Sequence, residues 1–440
     1  MLRRSIGLLH ATALVVGIIL GASIFVQPSA ITASVPALSA VYAVWIVAGV
    51  LTLFGALIAA ELASAFPKAG GVYVFLSEGL SPGVAFLWGW AMFWTMHTGI
   101  IAAVAMIFAR YVAFFVPVGD SGTKDIAIVA IALLSVVNYF GVRQGSIVQT
   151  TLTIIKVGAV VGLTVIAFAL GPHAPLPAVV ASTAVTSDSH AFIAAIVAGL
   201  FAFGGWHMVT YAAEETIAPE RTLPRALVLG VLIVTASYVA LNAAYFHVLS
   251  PTVIATSTRV AADAADAVLG ATGAAMVSAI VALSAAGALN GIILAGPRVY
   301  LAMARDGLLF TWVGAIHERH RTPHRAIGIQ ALWAVVLVLT GSYRALFTRV
   351  VYTEWIFFAL MAVGLVLLRR RADYVPRFRV AGGAVIPIVF VLSSLYIVVD
   401  QVVAHPGESV TGLLLVAAGW PVYYFTVRGK SHPPNHSLRR

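Results

Sequence analysis

Apolar runs recur from one end of this chain to the other, at residues 8–33, 40–65, 83–117, 125–141, 146–170, 190–213, 225–249, 270–303, 325–341, 346–368, 383–402 and 409–427. A helix of about 20 apolar residues crosses the roughly 30 Å hydrocarbon core of a bilayer, so the pattern predicts about twelve membrane-spanning helices. The polar stretches between them are too short to fold around a core of their own, which argues against an extramembrane catalytic domain. Composition agrees: of 440 residues, 61% are hydrophobic and 10% charged, the balance of a polytopic membrane protein.

Charge orients the pattern. An even number of spans returns both termini to one side, and assigning alternate loops to that side gathers 20 of the 26 Lys and Arg residues, against five on the other, while Lys156 falls inside a span. By the positive-inside rule the richer side is cytoplasmic. The formal net charge of +10 is then a topology signal and not a nucleic-acid footprint. Arg3 and Arg4 precede the first run in the manner of a signal peptide, but that run continues well past Ala22, longer than a typical h-region. With no cysteine in the chain, disulfide frameworks, thiolate metal sites and cysteine nucleophiles are excluded. The tail "RGKSHPPNHSLRR" reads as a short, solvated end.

Two runs are interrupted. The first, "VVGIILGASIFVQPSA" from Val15 to Ala30, carries Gly17, Gly21, Ala22, Ser23 and Pro28; the sixth is broken by Gly204 and Gly205 before it reaches Glu214 and Glu215. These are corresponding positions in two five-helix halves, the sequence mark of a transporter with inverted repeats and a midplane site. An unwound turn leaves backbone N–H and C=O groups without helical partners, tolerable in a membrane only where a polar ligand or water satisfies them. Exposed N–H groups at a helix start suit a carboxylate and exposed carbonyls suit an ammonium group. An α-amino acid carries both charges on adjacent atoms. Gly17-x-x-x-Gly21 also fits a small-residue packing face.

The motifs resemble those of the amino acid–polyamine–organocation (APC) superfamily, and within it the L-type amino acid transporter family, whose first helix carries G-S-G-I-F or a close variant. Here that segment is Gly21-Ala22-Ser23-Ile24-Phe25. The stretches "FAFGGWHMVTYAAEE", "PERTLPRA", "AELASAFPKAGGVYVF", "TLTIIKVGAVVGL", "LSAAGALNGIILAGPRVYLAMARDGLLF" and "TEWIFFALMAVGLVLLRRR" are similar to that family's pattern and follow its order. The resemblance implies an all-α leucine-transporter-like fold in one transport domain, with repeat one at about 8–170, repeat two at about 190–368, added helices at about 383–427 and a cytoplasmic tail at 428–440. It implies that the amides of Ala22 and Ser23 hold the substrate carboxylate, that the carbonyls of Ile19, Phe201 and Gly204 hold its amino group, and that Phe201 gates the extracellular side. Gly21 and Ala202 belong to the same two segments. Ser23 departs from the family's usual glycine; its Cβ narrows the space and the backbone's freedom there.

Single polar residues refine this reading. A lone cation in an apolar span is expensive and marks function by default. Lys156 matches a fifth-helix lysine that, in sodium-independent relatives, occupies the cation position of sodium-coupled ones; the resemblance sets it between the first and eighth helices near Ser284. Snorkelling to an interface is the alternative. Glu354 either meets the side-chain end of the substrate or stays hydrated at the extracellular mouth. His207 either faces the pocket or packs between helices. His97, Asn138, Asn242 and Asn290 suit interhelical hydrogen bonds. Glu61, Glu214 and Glu215 either pair with Arg221, Arg225 or Lys68 as an inner gate or form a solvated cluster.

No enzyme site emerges. His317, His320 and His324 lie in an arginine-rich loop and read as solvated surface, and no complete Gly-x-x-x-x-Gly-Lys-Ser/Thr phosphate loop is present to power transport. No cofactor is implied. The expectation is a sodium-independent amino acid permease of the inner or plasma membrane, both termini cytoplasmic, working by alternating access and exchanging small or medium neutral L-amino acids. A proton-coupled carrier of cationic amino acids or polyamines acting through Glu354, or a non-transporting amino acid sensor, are the alternatives. Its partners are the small-molecule substrate and the bilayer. Mammalian members of the L-type family pair with a glycoprotein through a cysteine, a link this chain cannot make.

Overall fold

A computed structural model describes residues 2–171, 189–341 and 343–426. Every predicted run coincides with helix among these residues. The first half comprises α1 (Leu8–Ile19), α2 (Gln27–Ser34), α3 (Leu38–Ala65), α4 (Val72–Gly79), α5 (Pro82–Ala91), α6 (His97–Val112), α7 (Asp120–Tyr139) and α8 (Val142–Leu170). The second comprises α9 (Ser189–Ala202), α10 (Pro219–Val248), α11 (Pro251–Thr256), α12 (Val260–Leu269), α13 (Ala271–Ala295), α14 (Pro297–Arg305), α15 (His324–Thr340) and α16 (Tyr343–Leu368). Then come α17 (Val385–Ala404), α18 (Pro406–Ala417) and α19 (Gly419–Thr426). Eight helical stretches are long and apolar enough to cross a membrane, and three shorter apolar helices accompany them. The tail from Arg428 lies outside the described residues.

Several predicted runs are not single rods, and each interruption has a local cause. The third contains a π-helical turn at Met92–Met96 between α5 and α6, an extra residue of the kind that reshapes a helix near functional sites. The eighth is interrupted at Gly296 between α13 and α14, where Pro297 cannot donate a backbone hydrogen bond. The short helices α4, α11 and α12 went unpredicted because 6 to 10 residues fall below the length at which a hydrophobic run is legible. α5 starts cleanly: Ser81 Oγ accepts the Val84 N–H at 3.3 Å and Pro82 takes the first helical position.

The bundle is organised around α1, which packs on α10, α8 and α13 and is buried continuously from Ala13 to Ile19. α3 lies along α10, and α13 lies along α6 and α8. Outward-facing Val129, Leu133, Ile154, Val165, Leu229 and Leu392 remain exposed, an apolar surface that only bilayer hydrocarbon covers without cost. Within the bundle, Asn138 Nδ2 donates to Asn290 Oδ1 at 2.9 Å, and Asn290 Nδ2 reaches the Gly145 carbonyl at 3.1 Å. His97 Nε2 meets the Ile292 carbonyl at 2.9 Å. These three residues join helices, whereas the Asn242 amide donates to Tyr238 on its own helix at 2.8 Å. His317, His320 and His324 pack their rings around Tyr139.

Candidate functional site

Both predicted interruptions are present at the centre of the bundle. α1 stops at Ile19, and after Leu20 and Gly21 the chain resumes as a 3-10 turn at Ala22–Phe25. α9 stops at Ala202, and after Phe203, Gly204 and Gly205 it resumes as the 3-10 segment Trp206–Glu215. Gly205 has φ +89 and faces the Ile18 side chain, which a Cβ would strike; only glycine turns the chain there without strain. Gly17 takes the packing role, the alternative to a part in the break. It lies inside α1, closed against Gln149 and Thr153 of α8, so it serves packing and the break itself begins at Leu20.

Between the two breaks lies a cleft of about 680 Å³ of empty volume including its mouth. Its walls include Ile18, Ile19, Gly21 and Ser23 from the first break, Phe201, Ala202, Gly204 and Gly205 from the second, and Glu354, Trp355 and Phe358 from α16. Gly204 is exposed there and Phe201 half-buried. A turn that starts at Ala22 leaves its first amides, those of Ala22 and Ser23, without intrahelical partners, and Ser23 lines the cleft. The carbonyls facing them differ in availability. Phe201 O accepts the Gly204 N–H at 3.0 Å. Ile19 O accepts both the Gly21 N–H at 2.6 Å and the Tyr238 hydroxyl at 2.8 Å, which fills its two lone pairs.

Tyr238, on α10, escaped the sequence reading. Its hydroxyl lies 2.8 Å from Ile19 O and 2.8 Å from Ala202 O, so one side chain bridges the two broken helices. The signal available was a phenol within a buried apolar span, where it must find a partner.

Lys156 sits at the end of α1. Its ammonium carries three protons, and three carbonyls receive them: Gly17 at 2.7 Å, Leu20 at 3.1 Å and Ser284 at 3.0 Å. Ser284 Oγ adds a bond to Leu20 O at 2.9 Å. Because α1 stops two residues later, Gly17 O loses its helical donor, and a cation meets the negative end of a half-helix dipole.

Glu354 lines the cleft and is 6% exposed, with Oε1 buried and unpartnered. His207 does not line it. Trp206 and Phe358 stand in front of its ring, at centroid distances of 5.3 and 4.7 Å, because the 3-10 pitch after Gly205 turns His207 behind the wall. Both its nitrogens are buried without a partner.

At the end of the bundle that carries most of the arginines, ion pairs join the helices. Arg298 and Glu215 form a buried bidentate pair, with Nε–Oε2 at 2.8 Å and Nη2–Oε1 at 3.0 Å. Glu214 pairs with Arg305 at 2.8 Å, and Glu61 takes both sides of the Arg369 guanidinium, Nε at 2.8 Å. The expected partners Arg221, Arg225 and Lys68 are replaced by arginines on α14 and just beyond α16, which tertiary packing brings across; Lys68 binds Glu78 instead, at 2.9 Å. Ser5 and Ile6 donate backbone hydrogen bonds to the Glu215 carbonyl at 2.8 and 3.0 Å, tying the N-terminal segment to the same cluster.

Comparison with known proteins adds to this geometry. The model of the family described as "Amino acid permease" matches residues 6–427. The chain is 34% identical to the Serine/threonine exchanger SteT of Bacillus subtilis (strain 168), over 96% of its own length and 97% of the relative's. It is 30% identical to the b(0,+)-type amino acid transporter 1 of Mus musculus, over 96% and 88%. It is 29% identical to the Large neutral amino acids transporter small subunit 2 of Oryctolagus cuniculus, over 98% and 82%.

Proposed function

The chain belongs to the amino acid permease family, and from that premise we propose that it exchanges small or medium neutral L-amino acids across the membrane, without sodium, by alternating access at the cleft between its two broken helices. The observation that carries this reading is Lys156: an ammonium bonded to carbonyls of α1 and α13 already supplies the positive charge that a bound cation would bring to the end of α1. The amides of Ala22 and Ser23 hold the substrate carboxylate. The carbonyls of Phe201 and Gly204 take the ammonium group, with Ile19 O available to it when Tyr238 turns its proton to Ala202. Phe201 covers the bound substrate.

The proposed architecture is a five-plus-five inverted repeat of the leucine-transporter kind, with α17, α18 and α19 outside it. The packing supports this, since contacts come in related pairs: α3 lies on α10 and α6 on α13, while α13 on α8 has its counterpart in α6 on α16. With both termini cytoplasmic, the arginine-rich end is the inner gate, and its ion pairs support a state closed to the cytoplasm.

The test is uptake of radiolabelled amino acids into proteoliposomes containing the purified chain, preloaded or empty, with and without sodium. Uptake of neutral L-amino acids that needs internal substrate and ignores sodium is expected. Sodium-dependent uptake into empty vesicles would refute the reading.

A further inference from the structure

The cleft holds a carboxyl group for which the described residues supply no basic partner. Glu354 faces the cleft with Oε1 buried and unpartnered. Among the described residues no ion pair reaches it. The cation nearest in role, Lys156, spends its three protons on carbonyls, and the buried arginine Arg298 is held by Glu215. The titratable side chains facing this part of the bundle are Tyr211, within electrostatic reach of Glu354, and His207, behind Phe358, both from the Trp206–Glu215 segment. α6 adds His97, bonded to the Ile292 carbonyl, and α4 adds Tyr73, bonded to Asp306. From α17, Phe390 packs on Trp355. None of these supplies a fixed positive charge.

A carboxylate enclosed in an apolar cleft without a counter-charge is strongly disfavoured. A neutral α-amino acid does not help, because its ammonium and carboxylate are matched to each other and to the backbone groups of the two breaks. Closure of the cleft over substrate therefore requires one further positive charge beside Glu354. Two sources can provide it: a proton on the carboxylate, or a cationic substrate side chain.

We propose that Glu354 is a specificity-determining residue that balances charge in the loaded site, carrying a proton when the substrate side chain is neutral and giving it up when that side chain is cationic. The proposal rests on the exchanger reading above and extends its substrates to lysine-like amino acids. The proton balance is explicit. On the side where a neutral substrate loads, water delivers one proton to the carboxylate; on the side where it leaves, that proton returns to water. A cationic substrate crosses in the opposite direction with Glu354 ionised. The loaded carrier then has the same charge both ways, so exchange of a cationic for a neutral amino acid is electroneutral and moves one proton with the neutral partner.

The test uses the full chain in liposomes of neutral phospholipid, preloaded with L-serine and a pH-sensitive dye, with the membrane potential set by potassium and valinomycin. External radiolabelled L-lysine is expected to enter at a rate independent of potential, with the lumen becoming alkaline by one proton per lysine. In Glu354→Gln the ratio of lysine to serine uptake is expected to fall by about 30-fold or more and the pH signal to vanish, with partial recovery in Glu354→Asp. The wild-type arm stands alone if a variant does not fold. Lysine entry accelerated by an inside-negative potential without a pH change would overturn the proposal, as would serine exchange with no lysine entry. Absence of any amino acid exchange would overturn the exchanger reading and this proposal with it.

Discussion

Replacing Lys156 by methionine keeps the length and apolar stem of the side chain and deletes its three donors. The structure sets the cost. Leu20 O keeps the Ser284 hydroxyl at 2.9 Å, and Ser284 O lies within α13, where a helical donor serves it. Gly17 O, bonded to Lys156 at 2.7 Å, has no helical substitute because the Gly21 N–H that would reach it turns to Ile19 O. One buried acceptor left unsatisfied costs about 1–3 kcal/mol, and losing the cation from the end of α1 costs about a further 1 kcal/mol. About 2–4 kcal/mol is a factor of roughly 30 to 1,000 in the population of the correctly broken helix. Exchange in proteoliposomes is expected to fall by that factor, while the thermal unfolding midpoint of detergent-purified protein shows whether the bundle survives. A Lys156→Met variant that exchanges amino acids within threefold of wild type, without sodium, would refute the argument that this ammonium holds α1 to α13.

Two further substitutions test the cleft and the proposed inner gate. Tyr238→Phe removes the hydroxyl that bridges Ile19 and Ala202; substrate affinity, read as the concentration that half-maximally raises the melting midpoint, is expected to weaken about tenfold, a loss near 1.4 kcal/mol, and an unchanged midpoint curve would count against the bridge. Arg298→Ala leaves Glu215 buried without its partner, a loss of about 3–5 kcal/mol expected to lower folded yield sharply, whereas Arg298→Met with Glu215→Leu removes both charges and is expected to recover the fold but not the closure, read as greater labelling of a cysteine placed at Ala302.

The membrane class, the helical runs and the two breaks were legible in the sequence, because hydrocarbon imposes local rules: each span needs about 20 apolar residues and must satisfy its own backbone. A glycine pair in mid-span violates those rules and so stands out, as Gly204 and Gly205 do. What a span apolar on every side does not encode is its rotation about its own axis. A soluble helix shows its buried face as a stripe; a membrane helix such as α3 or α9 has no such stripe, since lipid and neighbouring helices are alike apolar. Tertiary packing therefore decided that Glu354 faces the cleft while His207 turns behind it, and that Gly17 closes on α8. It also decided that Tyr238 spans both breaks and that Arg298, Arg305 and Arg369, rather than the nearer basic residues, neutralise Glu215, Glu214 and Glu61.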